Sequence, residues 1–90
     1  MEYLSLSLPV RAVLSEGAAG ASVQLLQTVL TILAMRYRNL TAPGVTGVYG
    51  APTARAVARV QQAAGLPPTG TTDEATWKCL AGLYRMCDRR

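Results

Sequence analysis

The sequence predicts an all-α domain: a three-helix bundle with a Gly-rich turn before each helix and an extended N-terminal lead-in. Three observations predict it. Apolar residues recur at spacings of three and four in three separate stretches, the pattern of an amphipathic helix. A glycine turn introduces each stretch, and 90 residues leave room for a single hydrophobic core. The expected division is a lead-in or linker over 1–16, the three-helix domain over 17–86 and a C-terminal tail over 87–90.

Leu4, Leu6 and Leu8 alternate with Ser5 and Ser7 up to Pro9, a period of two that suits a short extended segment lying against the helical domain. From Val23 the period changes. Val23, Leu26, Leu30, Leu33, Ala34 and Tyr37 mark one face of a first helix over Gly20 to Met35, and Leu25, Val29 and Ile32 are assigned to its other side. An apolar arc this wide fits a helix packed between two others, or a row that awaits a partner such as a second copy of the chain. Arg36 to Thr46, with Asn39, Pro43 and Gly44, reads as a loop.

Pro52 suits the first turn of a second helix over Ala51 to Ala64, with Thr53, Val57, Val60, Gln61 and Ala64 inward and Arg55, Arg59 and Gln62 outward. Gly65 stops it and Pro67-Pro68 prevents re-entry. Asp73 or Thr72 caps the third helix, Glu74 sits in its positive first turn, and Thr76, Trp77, Leu80, Leu83 and Tyr84 form its stripe up to about Met86. The three starts share one plan: Gly17-x-x-Gly20-x-x-Val23, Gly47-x-x-Gly50-x-x-Thr53 and Gly70-x-x-Asp73-x-x-Thr76. A tight reversal before a helix needs positive φ or close backbone approach, then a cap three residues later.

Composition restricts the chemistry. The chain has no histidine, so the usual general base and zinc-binding imidazole are missing, and no nucleophile–base pair stands out. An enzyme is therefore not expected, nor a cofactor or metal. The net charge is +4, but the nine Lys and Arg are scattered rather than massed, which argues against nucleic acid as a partner. No apolar run is long enough to span a membrane, and Met1-Glu2-Tyr3 lacks the positive start of a signal peptide. On a helix, Cys79 and Cys87 would stand about 12 Å apart, beyond the roughly 7 Å a disulfide tolerates.

Taken together, the ordered residues resemble a known family. Leu14-x2-Gly17-x2-Gly20-x2-Val23-x2-Leu26-Gln27-x2-Leu30 is similar to the first half of the peptidoglycan-binding domain 1 type, a three-helix module of cell-wall hydrolases. Val45-Thr46-Gly47-Val48-Tyr49-Gly50-x2-Thr53-x2-Ala56-Val57-x2-Val60-Gln61-x3-Gly65-Leu66-x3-Gly70-x5-Thr76-Trp77-x2-Leu80 is similar to its second half. Departures are Ser22 and Thr46 where acids often stand, Tyr49 for phenylalanine, and Val60 for an aromatic. The smaller Val60 requires Trp77 or Tyr37 to fill the space, or else leaves a cavity.

The resemblance implies a non-catalytic module that binds bacterial peptidoglycan and targets a hydrolase domain in the same or another chain to the wall, at the cell wall or outside the cell. A protein-interaction or self-association module that keeps the fold without the ligand is the alternative, with Leu25, Val29 and Ile32 as its dimer face. Candidate ligand contacts are Thr46, Tyr49, Arg55 and Arg59, grouped beside the Gly47–Gly50 turn. Arg55 and Arg59 lie one helical turn apart, and paired guanidinium groups suit carboxylates. Gly17, Gly20, Gln27, Gly47, Gly50, Thr53, Gln61, Gly70, Thr76 and Trp77 are read as structural. Gln27 and Gln61 are expected to bond the backbone of the glycine turns, Thr53 and Thr76 to tie down helix starts, and Trp77 to anchor the core.

Overall fold

A computed structural model describes residues 13–88, with side chains as far as Arg85. The expected extended segment around Leu4–Leu8, the tail beyond 88 and the side chain of Cys87 lie outside the described residues. Three helices follow in order, α1 over Ala21–Arg36, α2 over Ala51–Ala63 and α3 over Glu74–Asp88, each touching both others, with α1 against α3 the most extensive pair. Among the described residues there is no strand. Two isolated antiparallel bridges, Leu14 with Thr72 and Ala19 with Val48, tie the residues before α1 to the turns that open α3 and α2.

Gly20 has φ 121° and ψ −165°, so it precedes α1 rather than opening it, and the helix runs one residue further, to Arg36. That arginine suits the negative C-terminal end. Val29 corrects the outward assignment: it is 0% exposed. Its position, three residues after Leu26 and four before Leu33, puts it inside the buried stripe, while Leu25 and Ile32 are half-buried beside it. The three residues therefore do not form a free apolar row for a second copy. Tyr37, expected on the inward face, follows the helix end with extended backbone and is exposed.

At the end of α2, Ala64, expected inward, is exposed and caps the helix, while Ala56 is buried. The Leu66 N–H donates to the Gln61 carbonyl at 2.8 Å and the Gly65 N–H to that of Gln62 at 3.1 Å, with Gly65 at φ +78°. This is a Schellman stop, which glycine permits because it lacks a Cβ. On α3, Asp73 is the cap: its Oδ1 accepts from the Thr76 N–H at 3.0 Å and the Thr76 hydroxyl at 2.7 Å. Thr76, Trp77 and Leu80 are buried, Leu83 and Tyr84 half-buried, and the helix passes Met86 to reach Asp88.

The core joins Val23, Leu26, Val29, Leu30 and Leu33 of α1 to Ala56, Val57 and Val60 of α2 and to Trp77 and Leu80 of α3. Leu40 and Tyr49, from the long connection between α1 and α2, complete it. Leu40 is the loop residue the helical periodicity does not reveal, since its burial depends on where the connection crosses the bundle.

Candidate functional site

The interior of the site region is a pair of glutamine locks. Gln27 Oε1 accepts from the N–H groups of Thr46, at 2.9 Å, and Gly47, at 2.8 Å. Its Nε2 donates to the Val48 carbonyl and the Thr53 hydroxyl, both at 3.0 Å, with Thr46 Oγ1 at 3.3 Å. Gln61 repeats this one turn later in the chain. Its Oε1 accepts from Gly70 N–H at 2.9 Å, and its Nε2 donates to the Thr71 carbonyl at 2.8 Å and the Thr76 hydroxyl at 2.9 Å, with Thr69 Oγ1 at 3.4 Å. Both glutamines are buried, and among the described residues every buried side-chain nitrogen and oxygen has a partner.

Tyr49 links the two locks. Its side chain is 1% exposed, and the phenol donates to the Gly70 carbonyl while sharing a 3.0 Å hydrogen bond with Thr72 Oγ1. Burial pushes the phenol above its ordinary value of 10.0, opposed by the hydrogen bond to Thr72. Tyr49 is thus an interior brace, the inward placement that its resemblance to a phenylalanine position favours, and its hydroxyl is not free for a ligand at the rim. Thr46 is exposed, but its hydroxyl is used within the turn, donating to the Val48 carbonyl at 3.1 Å and accepting from the Val48 N–H at 3.2 Å. Trp77 is completely buried and presents no ring to solvent.

Arg55 and Arg59, in contrast, stand on the surface. They line a groove of about 430 Å³ between α2 and the connection at Asn39–Pro43, walled also by Pro52, Ala56 and Ala58. Arg59 Nε donates to the Asn39 carbonyl at 3.3 Å, which holds the side chain across the mouth of the groove. Neither Thr46 nor Tyr49 lines it. The groove that holds the arginines therefore includes no residue of the Gly47–Gly50 turn, and its second wall comes from Asn39 and Pro43. Only Pro43 and the loop composition hinted at that wall, because nothing in the periodicity says which helix a loop lies against.

A second groove, of about 510 Å³, opens over Val60 and is lined by Leu33, Tyr37, Leu40 and Leu83, with Arg36 and Arg38 also contributing. Val60, 5% exposed, is itself nearly covered, and Trp77 belongs to the same core cluster. Trp77 does not line the groove, and Tyr37 stands at its side 40% exposed.

Comparison with known families decides what this arrangement belongs to. A family described as "Putative peptidoglycan binding domain" matches residues 19–80. The chain belongs to this family. Neither a curated protein nor a solved structure matches it. The match spans α1, α2, both glutamine locks and the first half of α3, so the locks are the internal frame of this peptidoglycan-binding domain. Membership points to peptidoglycan as the binding target and to association with the cell wall, and the family is one of binding domains.

Arginines are the charged residues that line the two grooves of this peptidoglycan-binding domain. No carboxylate lines either groove among the described residues. Of the described acids, Asp73 caps α3, and the Thr76 hydroxyl and N–H hold its carboxyl below the ordinary 3.8, Glu74 pairs with Lys78 at 3.5 Å, and Glu16, exposed before α1, lines neither groove. Cys79 is a free, half-buried thiol, and burial raises its pKa. Among the described residues no three His, Cys, Asp or Glu side chains stand together as a metal site would require, and no helix is long and apolar enough to cross a membrane.

Proposed function

We propose that this domain binds peptidoglycan in the groove between α2 and the Asn39–Pro43 connection, with Arg55 and Arg59 taking carboxylates of the stem peptide or the muramyl lactyl group. One observation carries this reading: two exposed guanidinium groups a helical turn apart on the wall of a groove that no carboxylate lines among the described residues. Guanidinium meets carboxylate through two parallel hydrogen bonds, a fit that a lysine does not supply. The domain itself is non-catalytic. It supplies local concentration to a hydrolase in the same or a partner chain, which gains avidity at the wall rather than new chemistry.

Cosedimentation with purified sacculi tests the reading. At low salt the wild-type domain pellets with the wall, and the Arg55→Ala, Arg59→Ala double variant stays largely in the supernatant while keeping its helical circular dichroism. A wild-type domain that remains in the supernatant, or a double variant that pellets equally, sinks the reading.

A further inference from the structure

The groove over Val60 is distinct from the wall-binding groove, although Asn39 and Arg59 stand between the two and line both. Its floor is aliphatic: Leu33, Leu40 and Val60 are buried members of the core, and Leu83 is half-buried against them. Arg36 and Arg38 are exposed at the rim, and among the described residues no carboxylate lines the groove. We infer that this groove docks an acidic segment of a partner protein, seating one bulky apolar side chain on the floor while flanking carboxylates meet Arg36 and Arg38.

The chemistry selects this occupant over two others. A second copy of the chain, itself at net +4, would bring like charge to a cationic rim. A saccharide could bond Tyr37, Asn39 and Gln62, which also line the groove, but its hydroxyls set over Leu33, Leu40, Val60 and Leu83 would forfeit the bonds they made to water. A single aromatic or leucine side chain loses nothing there, and at about 510 Å³ the groove has room for it and for the backbone on either side. Carboxylates at the rim steer the encounter, and the buried side chain supplies most of the affinity.

Fluorescence anisotropy with a labelled nine-residue peptide, four aspartates on each side of a central tryptophan, measures the docking at low salt. The control peptide carries serine at the centre. The tryptophan peptide is expected to bind at least about tenfold more tightly than the serine peptide, from burial of one aromatic side chain. Val60→Phe, which fills the groove, erases that difference, and Arg36→Gln with Arg38→Gln weakens both peptides about tenfold without touching the core. Sacculus binding by Val60→Phe stays at the wild-type level because Val60 does not line the other groove.

Equal binding of the two peptides by the wild-type domain overturns the proposal. So does a folded Val60→Phe variant that keeps the preference for tryptophan, or displacement of the peptide by a neutral chitin oligosaccharide, which would make the groove a sugar site. If Val60→Phe fails to fold, the arginine pair and the serine control still decide. Loss of sacculus binding with the peptide result intact would count against the wall-binding groove alone.

Discussion

At the scale of single residues the fold depends on polar groups more than the apolar count suggests. Gln27 satisfies two backbone N–H groups, a carbonyl and a hydroxyl inside the protein, and leucine in its place would strand them. Gln27→Leu is expected to cost about 3 kcal/mol, since each orphaned buried group costs roughly 1–3 kcal/mol. Urea denaturation reads this as a lower midpoint, and Gln61→Leu should behave alike. Gly70 is equally constrained: at φ +80° a Cβ would stand 3.3 Å from the Ala54 carbonyl oxygen. Gly70→Ala should therefore lower stability by roughly 1–3 kcal/mol in the same measurement.

Tyr49 gives the residue scale a pH dependence with a definite sign. Its folded pKa lies above the ordinary 10.0 because burial disfavours the phenolate. The unfolded chain therefore loses its proton first as pH rises, and stability is full below pH 10.0 and falls above it until the folded phenol also ionises. Tyr49→Phe should lose the bonds to Gly70 and Thr72 at neutral pH and show a shallower alkaline decline. Urea midpoints across pH 8 to about 11 check both parts.

At the scale of elements, the caps and stripes decide where each helix stops and which face it buries. The Asp73 carboxylate bonds the Thr76 N–H at the start of α3, so Asp73→Ala should cost about 1 kcal/mol at neutral pH. The folded pKa of Asp73 is below 3.8, so the cap's contribution is present above that value and is lost as pH falls through the folded pKa. Thermal melts of the two proteins should converge in acid. In α1, Leu30 is fully buried and Met35 is 79% exposed. Leu30→Ala should cost about 2–5 kcal/mol, and Met35→Ala less than about 0.5 kcal/mol. The contrast is readable from periodicity, because Leu30 lies four residues after Leu26, whereas Met35 lies off the stripe.

Val29 shows where that kind of reading slips. Its spacing from Leu26 and Leu33 already places it in the stripe, yet counting it with Leu25 and Ile32 makes a second apolar row that the structure does not have. Arg55 and Arg59 were legible as an exposed pair because helical spacing alone puts them on one side of α2. Their groove was not. Its other wall is the Asn39–Pro43 connection, and the path of a connection across a bundle depends on packing between residues distant in sequence.

At the scale of the whole molecule, charge sets how the domain meets its ligand. Exposed arginine–carboxylate contacts are screened by salt, so sacculus binding should fall steadily as sodium chloride rises toward about 1 M, where the Debye length is about 3 Å. Binding unchanged over that range would mean that the arginines are not the contacts. The whole molecule is also where the repeated plan becomes intelligible. A constant offset of 23 residues relates Thr46, Gly47 and Thr53 to Thr69, Gly70 and Thr76, and a glutamine from the preceding helix locks each set. Tyr49 then joins one lock to the other through Gly70 and Thr72.

By itself the sequence determined the three helices, their glycine turns and the membership of most of the core, because these follow from local rules: apolar spacing, capping chemistry and the φ values that only glycine adopts freely. The tertiary structure alone decided that the Tyr49 hydroxyl bonds the Gly70 turn, that Leu40 joins the core, and that Val60 lines a groove together with Tyr37 and Leu40. It also decided that the arginines of α2 meet the Asn39–Pro43 connection rather than the Gly47–Gly50 turn. The reason is physical: a helix face follows from neighbours three and four residues away, but a groove is the space left when segments far apart in the chain pack together.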